Sequence, residues 1–264
     1  MTTLATTRAT AHGISVQRAV ATYARLEIRR VLRNRRYAIF AVGIPLFFYV
    51  LYTGVLGGRD AAVDPAWNAT FMVSMAAYGM IAAALSSAMP IAQERASGWT
   101  RQLRITPLSS SGWVATKVLV AYLTALPALA LVTLFAALVN HIDLAPATWF
   151  VLLASLALGV LPFVGLGLLI GFVLDVNSAQ GAMTISSIGL AVLGGLWAPL
   201  STFPDGLATI ARMLPSYRFA DLGWSTLANG SPDPADIAFV LGWAILAFTL
   251  VAWRYRAAEQ RARG

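Results

Sequence analysis

The sequence predicts an all-α polytopic membrane protein with six transmembrane helices. Hydrophobic residues make up 58% of the 264 residues and charged residues only 11%, whereas a soluble domain carries about 25% charged residues. Six stretches are almost free of charge and close to the roughly 20 residues that cross a bilayer as a helix. Since hydrocarbon offers the backbone no hydrogen-bond partners, such stretches are expected to be helical. They are Tyr37–Leu56, Thr70–Ile91, Trp113–Val139, Trp149–Leu174, Ala182–Leu200 and Ile237–Trp253.

The placement of positive charge predicts the orientation of these spans. Sixteen of the 19 Lys and Arg residues lie before the first span, in or beside the loop between the second and third, or after the sixth. Loops rich in Lys and Arg stay in the cytoplasm. We therefore expect a multi-pass protein of a bacterial cytoplasmic membrane with both termini in the cytoplasm. The arginines flank spans and form no separate basic domain, which argues against nucleic-acid binding.

The chain is predicted to form one domain. Residues 1–13 are rich in Thr and Ala and are expected to be disordered, while residues 14–264 form a single six-span unit. The spans leave little room for a second domain. The long charged segment before the first span is unlike a cleavable signal peptide. The absence of cysteine excludes disulfides and thiolate metal sites.

Residues 14–36 predict an amphipathic helix ahead of the first span. The arginines gather on one helical face, while Val16 and Ala24 fall on another. Glu27 interrupts the apolar face, and Arg30 follows three residues later and can pair with it. Such an elbow helix can lie along the inner leaflet with its arginines toward anionic headgroups. A simple orientation signal is the alternative. The arginines are Arg18, Arg25, Arg29, Arg33 and Arg36.

Proline and glycine mark special points within the spans. Pro45, Pro127 and Pro162 are expected to kink the first, third and fourth spans, since neighbouring helices can satisfy the freed carbonyls. Gly167 and Gly171 form a GxxxG step, which permits close approach of another helix.

The longest loop, residues 201–236, is expected to be structured. Leu207–Leu214 and Phe219–Leu227 are apolar enough to form two short helices, and Asn229 and Gly230 follow the second. These stretches predict a re-entrant-like helical hairpin on the outer side of the membrane. It would dip into the interface or cap a cavity. A plain structured loop is the alternative.

The sequence lacks the motifs of catalysis. It has no HExxH zinc motif, no GxSxG nucleophile motif and no GxxxxGK[ST] phosphate-binding loop. No metal site and no cofactor are therefore expected in this chain, and an enzyme is the least favoured class. The spans also lack charges at mid-depth, which argues against a transporter driven by protons or sodium.

The inner loop between the second and third spans is the most informative polar segment. Glu94–Arg104 is predicted to form a short helix that ends before Pro107. Trp99 and Leu103 are four residues apart and share one face, with two arginines on another. An exposed Trp/Leu pair rimmed by arginine is typical of a protein-docking anchor. Contact of this pair with the lipid surface is the alternative.

This loop resembles that of permease subunits of the type-2 ABC exporter family. The family pattern is E-R-x-x-G-T-x-x-x-L-x-x-T-P-L, followed by a lysine at the third span. The sequence departs from it at Trp99, where Thr is frequent. The Gly-rich end of the fifth span and the Pro-bounded outer hairpin are also similar. The matching residues are Glu94, Arg95, Gly98, Leu103, Thr106, Pro107, Leu108 and Lys117.

The resemblance implies the transmembrane subunit of an ATP-driven exporter. Two copies, or one copy and a paralogue, would form the pathway. Separate ABC ATPase subunits would bind ATP and Mg and dock on a coupling helix in the inner loop. The residues implied in this coupling are Glu94, Arg95, Gly98, Trp99, Arg101, Leu103, Arg104 and Pro107.

The cargo implied is hydrophobic or amphipathic, such as a drug, a lipid or a glycolipid-like molecule. Side chains of the first two spans could line its path or could equally be packing residues. An ATP-independent membrane scaffold or immunity-type protein is the first alternative, and a secondary transporter is the second. The candidate path residues are Tyr49, Tyr52, Phe71, Met72, Met75 and Tyr78.

Overall fold

The computed structural model describes residues 16–34, 39–56, 64–98 and 110–261, which are helices and their connections. A short helix α2 continues at both ends into the π-helical turns Ile39–Gly43 and Leu51–Leu56. The α-helices are α1 (Val16–Leu32), α2 (Ile44–Val50), α3 (Pro65–Leu85), α4 (Ala88–Ala96), α5 (Ser110–Val139), α6 (Pro146–Gly159), α7 (Leu161–Val173), α8 (Val176–Leu193), α9 (Asp205–Met213), α10 (Pro215–Asn229) and α11 (Pro234–Arg261).

Four helical segments within the described residues are long and apolar enough to cross a membrane. They confirm the second, third, fourth and sixth predicted spans. The helix predicted as the first span is a shorter apolar helix, Ala41–Gly54. Helix α8, predicted as the fifth span, begins with polar residues such as Asn177 and Gln180. The four long segments are Pro65–Ala96, Gly112–Val139, Pro146–Val173 and Pro234–Ala257.

The limits of α8 differ from the predicted span Ala182–Leu200. Asp175 caps the helix, since its Oδ1 accepts from the backbone N–H groups of Asn177 and Ser178 at 3.0 Å each. The Ser178 hydroxyl and these backbone donors lower the pKa of Asp175. At the other end Gly195 adopts a left-handed φ of 76°. Cap chemistry rather than apolarity therefore sets both ends of this helix.

Two spans consist of two helices in line. The second is interrupted at Ser86 and Ser87, between α3 and α4. The fourth is interrupted at Val160, and Pro162 occupies the first turn of α7. The kink predicted at Pro162 falls at this interruption, since proline fits a helix start but not a helix interior. Pro127 lies inside α5 without ending it.

Helix α3 is the centre of the bundle. It contacts α2, α5, α7, α8 and α10, and every residue from Phe71 to Ile81 is buried. Ala76, Ala77 and Gly79 lie along this stretch. Small side chains let several helices approach one backbone, which is how membrane helices gain packing contacts.

The predicted GxxxG step is a close-packing surface. A Cβ atom added to Gly167 would lie 2.6 Å from the carbonyl oxygen of Ala84, and one added to Gly171 would lie 2.7 Å from that of Ala88. Both distances are shorter than a Cβ can tolerate. The two glycines therefore hold α7 against α3 and α4.

The long loop between α8 and α11 contains two helices, α9 and α10, as predicted. Helix α10 packs against α6, α3 and α11. Its Phe219 is fully buried and its ring lies 5.6 Å from that of Phe163. A side chain on Gly159 would overlap the same Phe219 ring. The hairpin is thus built into the bundle, and its entry into the membrane interface stays a prediction.

We expect Gly167→Ala to destabilise the protein by about 1–3 kcal/mol, since its methyl group overpacks the α7–α3 contact. Gly189→Ala is the matched control, because an added Cβ meets nothing within 4 Å there and alanine favours the helix. Thermal unfolding of the purified protein in detergent measures both. An equal loss in the two variants would contradict close packing at Gly167.

Candidate functional site

Three charged side chains meet at the end of α4. Lys117 of α5 places its Nζ 2.5 Å from Glu94 Oε1 and 3.3 Å from Glu27 Oε2. All three residues are buried, with exposed fractions of 3% for Lys117, 6% for Glu94 and 7% for Glu27. We call this group the lysine cluster. It joins α1, α4 and α5.

The position of α1 explains how Glu27 reaches this cluster. Helix α1 contacts α5, and its buried face includes Ala24 and Glu27. The predicted pairing of Glu27 with Arg30 is present at 3.8 Å, but Arg30 is 60% exposed. Lys117 is the nearer and more buried cation. Glu27 therefore interrupts the apolar face in order to meet a charge on α5.

An aromatic ring flanks the lysine cluster. Lys117 Nζ lies 5.9 Å from the ring centre of Trp113, one turn earlier in α5. Trp113 is buried and packs edge-on against Phe172 of α7, with ring centres 5.6 Å apart. A cation over an indole face is stabilised by the ring quadrupole. The cluster is thereby connected to α7 as well.

Arg95 connects α4 to α7 directly. Its Nη1 donates to the carbonyl oxygens of Gly171 at 2.8 Å and Leu174 at 3.1 Å. These carbonyls belong to the last turn of α7, where backbone acceptors have no partner within the helix and the helix dipole is negative. The guanidinium group donates hydrogen bonds to these carbonyls and places a positive charge at the negative end of the helix dipole.

Gly98 sets the direction in which the chain leaves α4. Its φ is 70°, in the left-handed region, and its N–H donates to the carbonyl of Arg95 at 3.3 Å. This is a common helix ending, and a residue with a Cβ pays about 1–2 kcal/mol to adopt it. The exit of the inner loop is therefore fixed by a glycine.

The structure separates the predicted coupling residues into two groups. Glu94 and Arg95 belong to the last turn of α4 and contact other helices, and the predicted helix Glu94–Arg104 does not continue through Gly98. Arg25 and Arg29 of α1 are exposed, as is Arg33 just after it, and Arg18 lies in α1. The remaining predicted residues lie outside the described residues: Trp99, Arg101, Leu103, Arg104, Pro107 and Arg36.

The candidate path residues belong to the core of the single chain. Tyr49, Met72 and Met75 are fully buried, and the Tyr52 and Phe71 rings stack with centres 4.4 Å apart. The exposed fraction is 4% for both Phe71 and Tyr78. In this conformation these side chains pack helices together, and their role in a path stays a prediction.

Sequence reasoning gave Glu27 a local partner and assigned Lys117 no partner at all. Lys117 is the only lysine in the chain, and Glu27 is the only acid before the first span. An isolated charge of unusual sign or type beside apolar residues was the available signal. This signal marks Lys117 and Glu27 as candidate functional residues, but it does not show that they pair with each other.

A second ionic group lies where α10 meets the start of α11. Arg218 Nη1 lies 2.7 Å from Asp236 Oδ1, and Asp236 is fully buried. Burial, together with the neighbouring negative charge of Asp236, raises the pKa of Asp221 to about 7. Asp233 adds further negative charge nearby. Helix α10 is therefore attached to α11 by an ion pair, next to a carboxyl group that changes charge near neutral pH.

We expect Lys117→Met to destabilise the protein by about 3–5 kcal/mol, because it leaves two buried carboxylates without their shared cation. Arg30→Met is the control, since Arg30 is largely exposed and exposed ion pairs contribute about 0–1 kcal/mol. Detergent-purified variants would be compared by thermal unfolding. Similar losses of stability in the two variants would show that the buried ion pairs of the lysine cluster do not stabilise the fold more than an exposed pair does.

We expect the stability of the hairpin to fall as pH rises. Folded Asp221 keeps its proton to about pH 7, whereas an unfolded aspartate releases it near pH 3.9. The stabilisation is therefore complete below about pH 4 and is lost as pH passes through 7. Asp221→Asn should remove this slope between pH 5 and 8, whereas Asp205→Asn at an exposed site should keep it. Hydrogen exchange of α10 measures the slope, and a slope retained in Asp221→Asn would refute the assignment.

The comparisons with known proteins agree with this architecture. The family model described as "ABC-2 family transporter protein" matches residues 60–253, which include the lysine cluster residues of α4 and α5. A protein of Bacillus subtilis (strain 168) named "Putative transport permease YvfS" is 29% identical over 234 residues, which are 88% of this chain and 95% of that protein. The family match covers well over half of the chain, so this protein belongs to the ABC-2 family of membrane transport permeases.

Proposed function

We propose that this chain is the transmembrane subunit of an ATP-driven exporter of hydrophobic or amphipathic molecules. The observation that carries the proposal is the lysine cluster, which ties α1, α4 and α5 together at the base of the inner loop. A loop anchored in this way can pass movement to several helices at once. Family membership supports a permease role, and the sequence of the loop supports coupling to a separate ATPase.

The proposed topology has six spans and cytoplasmic termini in a bacterial cytoplasmic membrane. Helices α2 and α8 would be the first and fifth spans, in addition to the four long ones. Helix α1 would lie along the inner leaflet as an elbow. The exposed Arg25 and Arg29 of this helix, together with Arg33 just after it, suit anionic headgroups. The excess of Lys and Arg on the side of the termini supports this orientation. Helices α9 and α10 would then lie on the outer side.

The proposed assembly contains two permease chains and two ATPase subunits. Helix α8 supports a partner chain, because Asn177, Gln180 and Thr184 are exposed on it. Polar side chains on a membrane helix usually face a partner or a water-filled path rather than lipid. A second copy or a paralogue packed on this face would cover them. ATP and Mg would be bound by the ATPases.

Coupling would begin in the inner loop between α4 and α5. ATP binding draws the ATPases together and moves the loop, which changes the contacts that favour one permease state over the other. Glu94 and Lys117 would pass this movement to α5 and, through Glu27, to α1. Arg95 would pass it to α7. Transport then requires that α2 and α3 separate if cargo is to follow the side chains between Tyr49 and Tyr78.

We expect the double variant Trp99→Ala, Leu103→Ala to lose its ATPase partner, because truncating two central anchors removes most of the energy of a small interface. The measurement is copurification of the ATPase with tagged permease from membranes. The control is Trp243→Ala, Leu246→Ala, which removes the same residue types from the exposed face of α11. Unchanged copurification of the first variant would reject the docking role.

Transport assays and copurification with the same complex distinguish the exporter from the alternative functions. Transport in vesicles that requires ATP and stops on Trp99→Ala, Leu103→Ala supports the exporter. Transport driven by a proton gradient without ATP would favour a secondary transporter. An ATP-independent scaffold or immunity-type protein would copurify with no ATPase.

A further inference from the structure

The hydrogen bonding of the second span changes at the turn between α3 and α4. The N–H of Ser87 donates to the carbonyl oxygen of Ala84 at 3.2 Å. The N–H of Met89 likewise donates to a carbonyl three residues earlier, that of Ser86, at 3.3 Å. Both serines have a ψ of −18°, which is close to 3₁₀ geometry. A short 3₁₀ stretch inside a long helix often marks a hinge, because its hydrogen bonds are poorer than those of an α-helix.

Pro90 explains why the α-helix does not run through this turn. It lacks an N–H, so the carbonyl of Ser86 four residues earlier has no α-helical donor, and its ring would clash with that carbonyl in a straight helix. The Ser86 hydroxyl also donates to the carbonyl oxygen of Ala83 at 2.6 Å, a local contact that competes with the helical ladder. Pro90 therefore lies in the first turn of α4, where N–H groups have no partner within the helix.

Helix α7 crosses this turn at a glycine. A Cβ atom added to Gly167 would lie 2.7 Å from the Ser87 hydroxyl oxygen and 2.6 Å from the carbonyl oxygen of Ala84. Because Gly167 has no side chain to interlock, α7 touches the turn closely without fixing the angle between α3 and α4. The Ser87 hydroxyl is buried and has no hydrogen-bond partner among the described residues. A change of angle therefore breaks no hydrogen bond of this side chain.

Polar contacts hold α4 beyond the turn. Arg95 donates to the carbonyl oxygens of Gly171 and Leu174 at the end of α7, and Glu94 pairs with Lys117 of α5. Before the turn, α3 is buried in the apolar centre of the bundle. The turn thus separates a segment held by charges next to the inner loop from a segment held by packing.

We propose that the Ser86–Ser87 turn is a hinge about which α4 changes its angle to α3, and that Pro90 prevents the two helices from joining. Hinges place a change of angle in a few residues at the ends of rigid elements. Movement of the inner loop then turns α4 and the end of α7, while α3 keeps its place in the core. The hinge rests on the geometry of this chain, and its role in coupling rests on the proposed function.

The first test measures the hinge in the full-length permease without its ATPase. The chain contains no cysteine, so Thr70→Cys and Gln93→Cys, both at exposed positions, place one spin label on each side of the turn. A helical rise of about 1.5 Å per residue puts the labels roughly 35 Å apart. Pulsed electron–electron resonance measures such a distance, and dilution with unlabelled chains restricts it to one molecule. We expect a broad distance distribution.

Pro90→Ala should narrow this distribution, because alanine restores a helical hydrogen bond and removes the clash of the ring. Pro90→Gly is the matched variant and should keep the distribution broad, since glycine favours a continuous helix far less than alanine does. Pro146→Ala, in the first turn of α6, should change nothing. Ser86→Ala should also narrow the distribution, and it carries the test if Pro90→Ala does not fold.

Two results of the first test would overturn the hinge. One is a distribution as broad in folded Pro90→Ala as in the wild type. The other is equal narrowing in Pro90→Ala and Pro90→Gly, which would show that contacts of the proline ring, rather than the break in the helix, set the angle.

The second test measures coupling in the complex with the ATPase. Pro90→Ala should leave copurification of the ATPase unchanged and lower ATP-dependent transport by about tenfold, because a favoured straight helix leaves the turned state sparsely populated. Pro90→Gly should transport nearly as well as the wild type. Unchanged transport in Pro90→Ala would overturn the coupling role. A wild-type complex without ATP-dependent transport would instead reject the proposed function, while the distances of the first test would still decide the hinge.

Discussion

The buried ammonium group of Lys117 is the constraint on which the arrangement of α1, α4 and α5 depends. Carboxylates from α1 and α4 converge on it, and a buried charge that loses its partner costs several kcal/mol. This shared cation therefore favours a state in which α1, α4 and α5 stay together. In the proposed exporter, this makes the base of the bundle a unit that can be pushed or pulled by a partner.

Packing in the middle of the bundle follows a different rule. The contacts there are made by glycine and alanine, not by charged groups. Gly167 packs against Ala84, and a Cβ added to Gly79 would lie 2.7 Å from the carbonyl oxygen of Ala41. Contacts of this kind hold helices by shape and dispersion, with no charge to separate.

Ionic contacts thus lie toward the two ends of the bundle, with the lysine cluster at one and the Arg218–Asp236 pair at the other. The cluster joins α1, α4 and α5, and the pair joins α10 to α11. Charges near helix ends remain close to water and headgroups. They can therefore pair specific helices while the middle of the spans stays free of charge. In the proposed function, cargo would pass between these ends through an apolar middle.

The sequence by itself determined the four long spans, the two hairpin helices, the break at Pro162 and the glycine step, because local apolarity and backbone chemistry specify each of them. Tertiary structure decided the rest of the described chain. Asp175 and Gly195 moved the limits of α8, since an apolar window does not register caps. Lys117 and Glu94 pair across 23 residues, and Arg95 pairs with the end of α7. Such partners depend on how helices pack in space, and spacing along the chain carries no record of that.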